Sequence, residues 1–256
     1  MNMDERIRRI NELYHKSQDV GLTDEEKEEQ KRLRLEYVAS VRGNLKSQLD
    51  NISIREKDGS ITHLGKKHDK KQLRLELLDK RSSIDENNKK KMDEAILNAL
   101  INTDDYKKCN IVLTYASYNN EADTFSLIQK SIDDGKKVAC PVCGLKNGEP
   151  SLDFYFIEGS YDLKSGYRGI PEPAADEKKR VTGDDLKDAL MIMPAVGYDK
   201  NRNRLGYGKG FYDRFLTGNK VRVTIALAYS CQECDGIPSE KHDHKPDLII
   251  NENGVL

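Results

Sequence analysis

The chain has 256 residues, is 36% hydrophobic and 34% charged, lacks tryptophan and carries a formal net charge of −1. That is apolar enough for a folded core with an excess of exposed helix, and it leaves no global field to draw the protein to nucleic acid or a membrane. MNMDERIRRI offers no apolar signal segment, and no stretch approaches the roughly 18 apolar residues of a membrane span, so a soluble cytoplasmic protein is expected.

Residues 4–18 place Ile7, Ile10, Leu13 and Tyr14 at spacings of three and four, which predicts an amphipathic helix stopped by Gly21. Thr23 and Glu26 form a capping box for a second helix, along which Leu33, Tyr37, Val38, Val41 and Leu45 make one apolar stripe. Two helices joined by a short turn predict a helical hairpin. ISIREKDGSITHL follows, with Asp58-Gly59 as a turn signal, and then the polar stretch GKKHD. The expected division is a hairpin over 1–60, a linker over 61–69 and a second domain over 70–256. Residues 1–69 hold 14 basic and 14 acidic residues and the remainder 29 and 30, so neither part is a basic arm. RINEL (9–13), GLTDEEKEEQKRLRLEYV (21–38) and RGNLKSQLDNISI from Arg42 resemble a family of small, uncharacterised bacterial proteins, the YnzC-like family. The resemblance implies a cytosolic helical hairpin and brings no activity with it.

From Asp69 the pattern changes. The helix DKKQLRLELLDKR is followed by Ser83 and Glu86, a capping box for a helix to about Ile101. CNIVLTYAS reads as a strand, EADTFSLIQKSIDDG as a helix ending at Gly135, and KKVAC as a strand. DFYFI, ALMIM, VRVTIALAY and PDLII are further strands. Alternating strands and helices predict an α/β domain: a three-layer, open, mainly parallel sheet with flanking helices, preceded by the small all-α hairpin.

Four of the five cysteines fall into two C-x-x-C pairs, Cys140/Cys143 and Cys231/Cys234. Two such pairs are enough for a four-thiolate zinc site. Against that, Cys140 ends a strand and precedes Pro141, and neither pair carries a glycine-rich knuckle, which favours ordinary thiols in a reducing compartment.

The stretch MIMPAVGYDKNRNRLGYGKGFYDRFL, residues 191–216, reads as strand, turn, glycine-rich loop and helix start. Gly206, Gly208 and Gly210 recur at alternate positions around Lys209, with Arg202, Arg204 and Arg214 nearby. Glycines bring backbone N–H groups against an anion, and a following helix adds its positive end. The loop matches neither the Walker A pattern nor the dinucleotide fingerprint. A tight turn that binds nothing is the plain alternative to a phosphate cradle.

N-R-L-G-Y-G-K-G-F-Y-D-R resembles the signature of the 5-formyltetrahydrofolate cyclo-ligases, and four further motifs follow in that family's order. They are K-K-Q-L-R at 70–74; Tyr115, Ser117, Glu121 and Thr124; Gly169-Ile170-Pro171-Glu172-Pro173; and Ile237-Pro238 with His242-Asp243 and Asp247. The match spans residues 70–256. Two positions depart from it: Phe211 stands where tyrosine is usual, and Ala122 where a larger aliphatic residue is common.

The resemblance implies an ATP site at Lys70, Lys71 and Arg74 and from Arg204 through Leu205, Gly206, Tyr207, Gly208, Lys209, Gly210 and Phe211 to Tyr212. It gives Lys209 and Arg204 the catalytic charges, Asp213 and Asp243 a Mg²⁺ ion, and Ala116, Glu121 and Glu172 the folate. Each has a bland alternative. The helix cations can be a solvated face, Glu121 a first-turn acid, Asp213 a helix cap, and Asp243 a neighbour to Lys241 or His244. The implied reaction cyclises 5-formyltetrahydrofolate to 5,10-methenyltetrahydrofolate: ATP phosphorylates the formyl oxygen, N10 attacks, and phosphate leaves. Catalysis then rests on positioning and charge neutralisation, with no side-chain nucleophile. The rivals are another phosphoryl transferase and a non-catalytic folate- or nucleotide-binding regulator acting through its hairpin, which has no partner assigned by sequence beyond self-association or an unknown protein.

Overall fold

A computed structural model describes residues 3–19, 21–50, 52–55 and 61–256, and the chain divides into two units, Met1–Asp69 and Lys70–Leu256. In the first, α1 (Met3–Asp19) and α2 (Asp24–Asp50) form the expected hairpin. Gly21 makes the turn at φ +81°, its amide donating to the Lys16 carbonyl at 3.1 Å. The Thr23 amide donates to the Glu26 carboxylate (3.0 Å) and the Glu26 amide to the Thr23 hydroxyl (3.3 Å), completing the capping box. Arg9–Glu29 (2.8 Å), Arg6–Glu36 (3.4 Å) and Lys16–Glu26 tie the antiparallel helices, with Leu13 and Leu33 buried. The α2 stripe is mostly at the surface: Val38, Val41 and Leu45 are exposed. The 17 residues of α1 cannot cover the 27 of α2, and among the described residues the ion pairs reach no further than Glu36.

β1 (Ser53–Arg55) and β2 (Ile61–His63) pair antiparallel, Ile54 opposite Thr62. The Asp58-Gly59 turn between them lies outside the described residues. α3 (Leu64–Ser82) follows directly, and the division between units falls inside it. Residues 61–69 are thus β2 and the opening of α3, since a lysine-rich stretch without proline extends a helix as readily as it fills a loop.

In the second unit α4 (Glu86–Ile101) is capped by Asp85, whose carboxylate accepts from the Asn88 amide at 3.0 Å. Ser83, expected in that role, donates instead to the Asp79 carbonyl (2.9 Å) and finishes α3. Aspartate caps at least as well as serine, and it stands where the backbone is extended, φ −70° and ψ 154°. The remaining elements are α5 (Asp104–Lys108), β3 (Ile111–Leu113), α6 (Phe125–Asp133), β4 (Lys137–Lys146), β5 (Glu149–Ile157), β6 (Lys164–Ser165), β7 (Pro171–Glu172), α7 (Gly183–Leu186), β8 (Ala189–Pro194), β9 (Gly197–Asp199), β10 (Arg204–Leu205), α8 (Phe211–Gly218), β11 (Val223–Leu227), β12 (Glu233–Cys234), β13 (Leu248–Asn251) and β14 (Gly254–Val255).

The main sheet runs β14-β13-β11-β8-β3-β4-β5, parallel from β13 to β4 with an antiparallel strand at each edge. β8 is central, Leu190 facing Val112 of β3 on one side and Val223 of β11 on the other. All six of its residues are buried. Leu190 and Ile192 join one apolar cluster with α4, while Met191 and Met193 join another with Phe211 and Phe215 of α8. Two covered faces explain why ALMIM reads as an unbroken apolar run.

The connection after β3 leads to β4 on one side, and those after β8 lead to β11 on the other, so chain direction across the sheet reverses between β3 and β8. Crevices at the carboxyl ends of such strands are where open α/β sheets bind ligands.

Candidate active site

The glycine loop leaves β8 through a second, three-stranded sheet, β10-β9-β12. Its base is fixed by Asp199, 2% exposed, whose carboxylate accepts from the amides of Asn201, Asn203 and Ile237 at 2.9 Å each and from the Asn203 side chain at 2.7 Å. From there Arg204 to Gly210 run to the start of α8. Gly208 and Gly210 have φ of +87° and +70°, where a side chain is strained. A Cβ on Gly208 would also meet the Arg74 guanidinium at 3.1 Å. Among the described residues, no backbone N–H from Gly206 to Gly210 donates to a protein acceptor. Unspent amides ahead of a helix N-terminus make an anion nest.

The predicted cations converge on this loop unequally. Arg74 donates from Nε to the Gly206 carbonyl at 2.7 Å. Burial lowers its guanidinium below the ordinary value, with Asp243 opposing; it stays charged. Arg204 donates to the Pro194 carbonyl (3.1 Å) and to Asp213 (3.2 Å), and it lies over the Tyr212 ring at 5.7 Å. Lys70 pairs with Asp243 at 2.6 Å and Glu240 at 3.6 Å. Lys209 is exposed and has no ion pair among the described residues, while Lys71 stays on the solvent side of α3. Leu205 is buried and packs with Leu77 and Val196, so its side chain serves the loop's anchorage. Phe211 stacks edge-on against Tyr167 at 5.9 Å, contact enough without the hydroxyl of the usual tyrosine.

Asp213 accepts from Arg204 and from the His244 amide (3.1 Å), which brings the C-terminal motif beside the loop. Asp243 uses Oδ2 for Lys70 and the Glu240 amide (2.8 Å), leaving Oδ1 without a hydrogen bond among the described residues. Asp213 Oδ2 has only a 3.4 Å contact. One or two carboxylates with a spare oxygen each, beside an anion nest, suit Mg²⁺, which takes few protein ligands and completes its shell with anionic ligands and water. No cluster of three or more His, Cys, Asp or Glu is available among the described residues.

Glu121 follows β3. It is 9% exposed and accepts from the Tyr207 hydroxyl at 2.6 Å and the Tyr118 amide at 2.8 Å. Burial raises its carboxyl above the ordinary value, opposed by those two donors and by the charge of Arg81. It is no helix cap: α6 begins after Thr124, four residues on. Behind it, Asp93 accepts from the Tyr229 hydroxyl (2.7 Å) and the Asp123 amide (3.0 Å). Tyr118 and Tyr207 are partly exposed around the carboxylate, two aromatic faces suited to a flat ring. Ala116 is buried. Glu172 accepts from the amides of Cys143 (3.0 Å) and Tyr167 (3.2 Å), which holds the segment after β5 to β4.

Two clefts of about 560 and 610 Å³ open around Gly183, Leu186 and Asn219, and their linings share no residue with the glycine loop.

The members of each C-x-x-C pair pack on different apolar clusters. Cys140 sits in one apolar cluster and Cys143 packs on another, as residues three apart on a strand must. Cys231 and Cys234 likewise pack on separate clusters. The first pair therefore cannot chelate one ion without breaking β4.

The model of the 5-formyltetrahydrofolate cyclo-ligase family matches residues 66–252. The chain belongs to that family. A Haemophilus influenzae protein named 5-formyltetrahydrofolate cyclo-ligase is 28% identical over 180 residues, 68% of this chain and 92% of its own length. A solved Aquifex aeolicus 5,10-methenyltetrahydrofolate synthetase has a TM-score of 0.62 at 28% identity, covering 73% of this chain and 91% of that one. Residues 5–67 match a second model, a bacterial protein of unknown function (DUF896). A Lachnospira eligens protein of the UPF0291 group is 52% identical over 69 residues, 27% of this chain and 82% of its own length. Sequence reasoning passed over Arg81, Tyr118 and Asp93. The signal for Asp93 and Arg81 is weak because a charged residue in a lysine-rich helix looks solvated; Tyr118, three residues before Glu121, was legible as an aromatic neighbour.

Proposed function

We propose that residues 70–256 catalyse the ATP- and Mg²⁺-dependent cyclisation of 5-formyltetrahydrofolate to 5,10-methenyltetrahydrofolate, releasing ADP and phosphate. The observation that carries this reading is the meeting of two chemistries at one crevice: the unspent amides of Gly206–Gly210 with their cations, and the buried Glu121 joined to them through Tyr207. Lys70, Arg74, Arg204 and Lys209 supply fixed and mobile charge for a triphosphate, and the loop amides orient its terminal phosphoryl group. Asp213 and Asp243 would hold the Mg²⁺, which neutralises phosphate charge when bound. Glu121, with Ala116 and the aromatic faces of Tyr118 and Tyr207, would receive the folate.

The formyl nitrogen is an amide, so its oxygen must become a better leaving group before N10 can close the ring. Transfer of the γ-phosphoryl group to that oxygen does this: the P–O bond to ADP breaks and a P–O bond to the formyl oxygen forms; N10 then bonds to the formyl carbon and gives up its proton to solvent, and the C–O bond breaks to release phosphate. No protein nucleophile is needed, and proximity carries much of the rate. The test mixes the full chain with Mg-ATP and 5-formyltetrahydrofolate and follows the methenyl absorbance. Product formation dependent on all three supports the reading; ATP hydrolysis without a methenyl signal points to another phosphoryl acceptor, and neither signal to a binding protein.

A further inference from the structure

Arg81, near the end of α3, is 3% exposed, yet no carboxylate lies within ion-pair distance of it among the described residues. Withdrawing a guanidinium from water without a close counter-ion is costly, and a side chain on a helix end could turn outward instead. What keeps it in place is two contacts. Nη2 donates to the Asn119 carbonyl at 2.8 Å, and the guanidinium carbon lies 5.8 Å from the centre of the Tyr207 ring. Asn119 and its neighbour Asn120 have φ of +49° and +60°, a left-handed turn that asparagine accommodates and that the Arg81 hydrogen bond ties to α3. That turn delivers Glu121, and Tyr207 is the residue whose hydroxyl Glu121 accepts.

We propose that Arg81 is a positioning residue that locks the Tyr118–Glu121 turn to Tyr207 of the glycine loop, so that the Glu121 carboxylate is held where folate binds. The proposal rests on the reading of Glu121 as a folate contact. It adds that the phosphate loop keeps its own anchors in Arg74 and Asp199 while the Asn119 turn is tied by Arg81, so that loss of Arg81 is felt on folate more than on ATP.

Glu121 is faced by Arg81 from α3, by Tyr207 and Tyr212 from the loop and α8, and by Tyr115 and the Tyr118 amide from the segment after β3. Arg81 is the cation among them that favours the ionised carboxylate, and burial works against it. Removing Arg81 therefore raises the Glu121 carboxyl further, and the acid limb of kcat/KM for folate moves to higher pH.

The experiment measures methenyl formation by the full chain as wild type, Arg81→Met and Arg81→Lys, varying 5-formyltetrahydrofolate and Mg-ATP separately across the acid range. Arg81→Met is expected to raise the folate KM by about tenfold, the worth of one charge-assisted contact, and to shift the acid limb upward, while the Mg-ATP KM stays within roughly twofold. Arg81→Lys restores the charge without the fork, so the limb returns toward wild type while the folate KM stays raised by roughly threefold. An unchanged folate KM and limb in Arg81→Met overturns the proposal, as does an equal rise for both substrates. Should Arg81→Met not fold, Arg81→Lys decides by the same folate-against-ATP comparison. A wild type that gains thermal stability with folate but forms no methenyl product sinks the cyclo-ligase reading alone. Arg81 is then judged by whether its variants lose that folate-induced gain.

Discussion

In Met1–Asp69 the two long helices are joined by Arg9–Glu29, Arg6–Glu36 and Lys16–Glu26, with Leu13 and Leu33 withdrawn from water between stretches of charge. In Lys70–Leu256 a single strand, β8, buries all six of its residues under helices on both faces. Exposed ion pairs contribute about 0–1 kcal/mol each and are screened by salt, whereas a buried Leu or Ile contributes roughly 1.5–3 kcal/mol and is indifferent to it. The difference teaches that a hairpin can be specified by charge register, while a site that must hold amides and a carboxylate in fixed relation needs a packed sheet beneath it.

The largest contrast comes from truncating the cores. Ile192→Ala should cost about 2–5 kcal/mol and lower the melting transition of the sheet unit, read by near-UV circular dichroism. Leu33→Ala should weaken the hairpin's helical signal and leave that transition in place. A common shift in both variants breaks the comparison.

Next in size is Lys209→Ala. Loss of a charge-assisted phosphate contact of about 1.5–3 kcal/mol should lower turnover by roughly one to two orders of magnitude and shrink the Mg-ATP-induced rise in Tm, with the Tm of the ligand-free protein unchanged. Full turnover together with a full ATP-induced rise would remove Lys209 from the cradle.

Smaller still is the effect of removing the hairpin. A chain beginning at Lys66 should fold and keep activity within about twofold, since units with their own cores are separable. Insoluble or inactive protein would mean that the first unit completes the second.

The smallest effect is in acid. Glu29 and Glu26 lie below their ordinary value, chiefly through hydrogen bonds from Arg9 and Lys16 respectively. Depressed carboxyls add stability that is present above their unfolded value and lost as pH falls through the folded one. Helical signal from the hairpin should therefore decline between about pH 5 and 3, and Arg9→Gln should flatten the part due to Glu29.

Periodicity made the strand and helix order legible because β8, β11 and β13 are covered on both faces and read as apolar runs. The turn itself was legible because glycines at alternate positions permit the positive φ that Gly208 and Gly210 adopt. What escaped was decided by competition between neighbours. Ser83 and Asp85 both cap well, and only the backbone shows that Asp85 begins α4 while Ser83 ends α3. Val38, Val41 and Leu45 have helical spacing but no partner of matching length within the hairpin. Arg81 looks like every other cation of α3 until the fold brings Asn119 and Tyr207, far away in sequence, against it.

The division of Cys140 from Cys143 has a use beyond metal chemistry. Burial pushes both thiols up to about 12, so near neutrality almost none is thiolate, the form that attacks an alkylating reagent. Cys140 is fully enclosed beside Val138 and Ile128, and a reagent reaches it only when β4 comes away from α6. Its alkylation rate thus becomes a clock for opening at that edge of the sheet: with fast reclosing it reports the free energy of opening, and with excess reagent the opening rate itself.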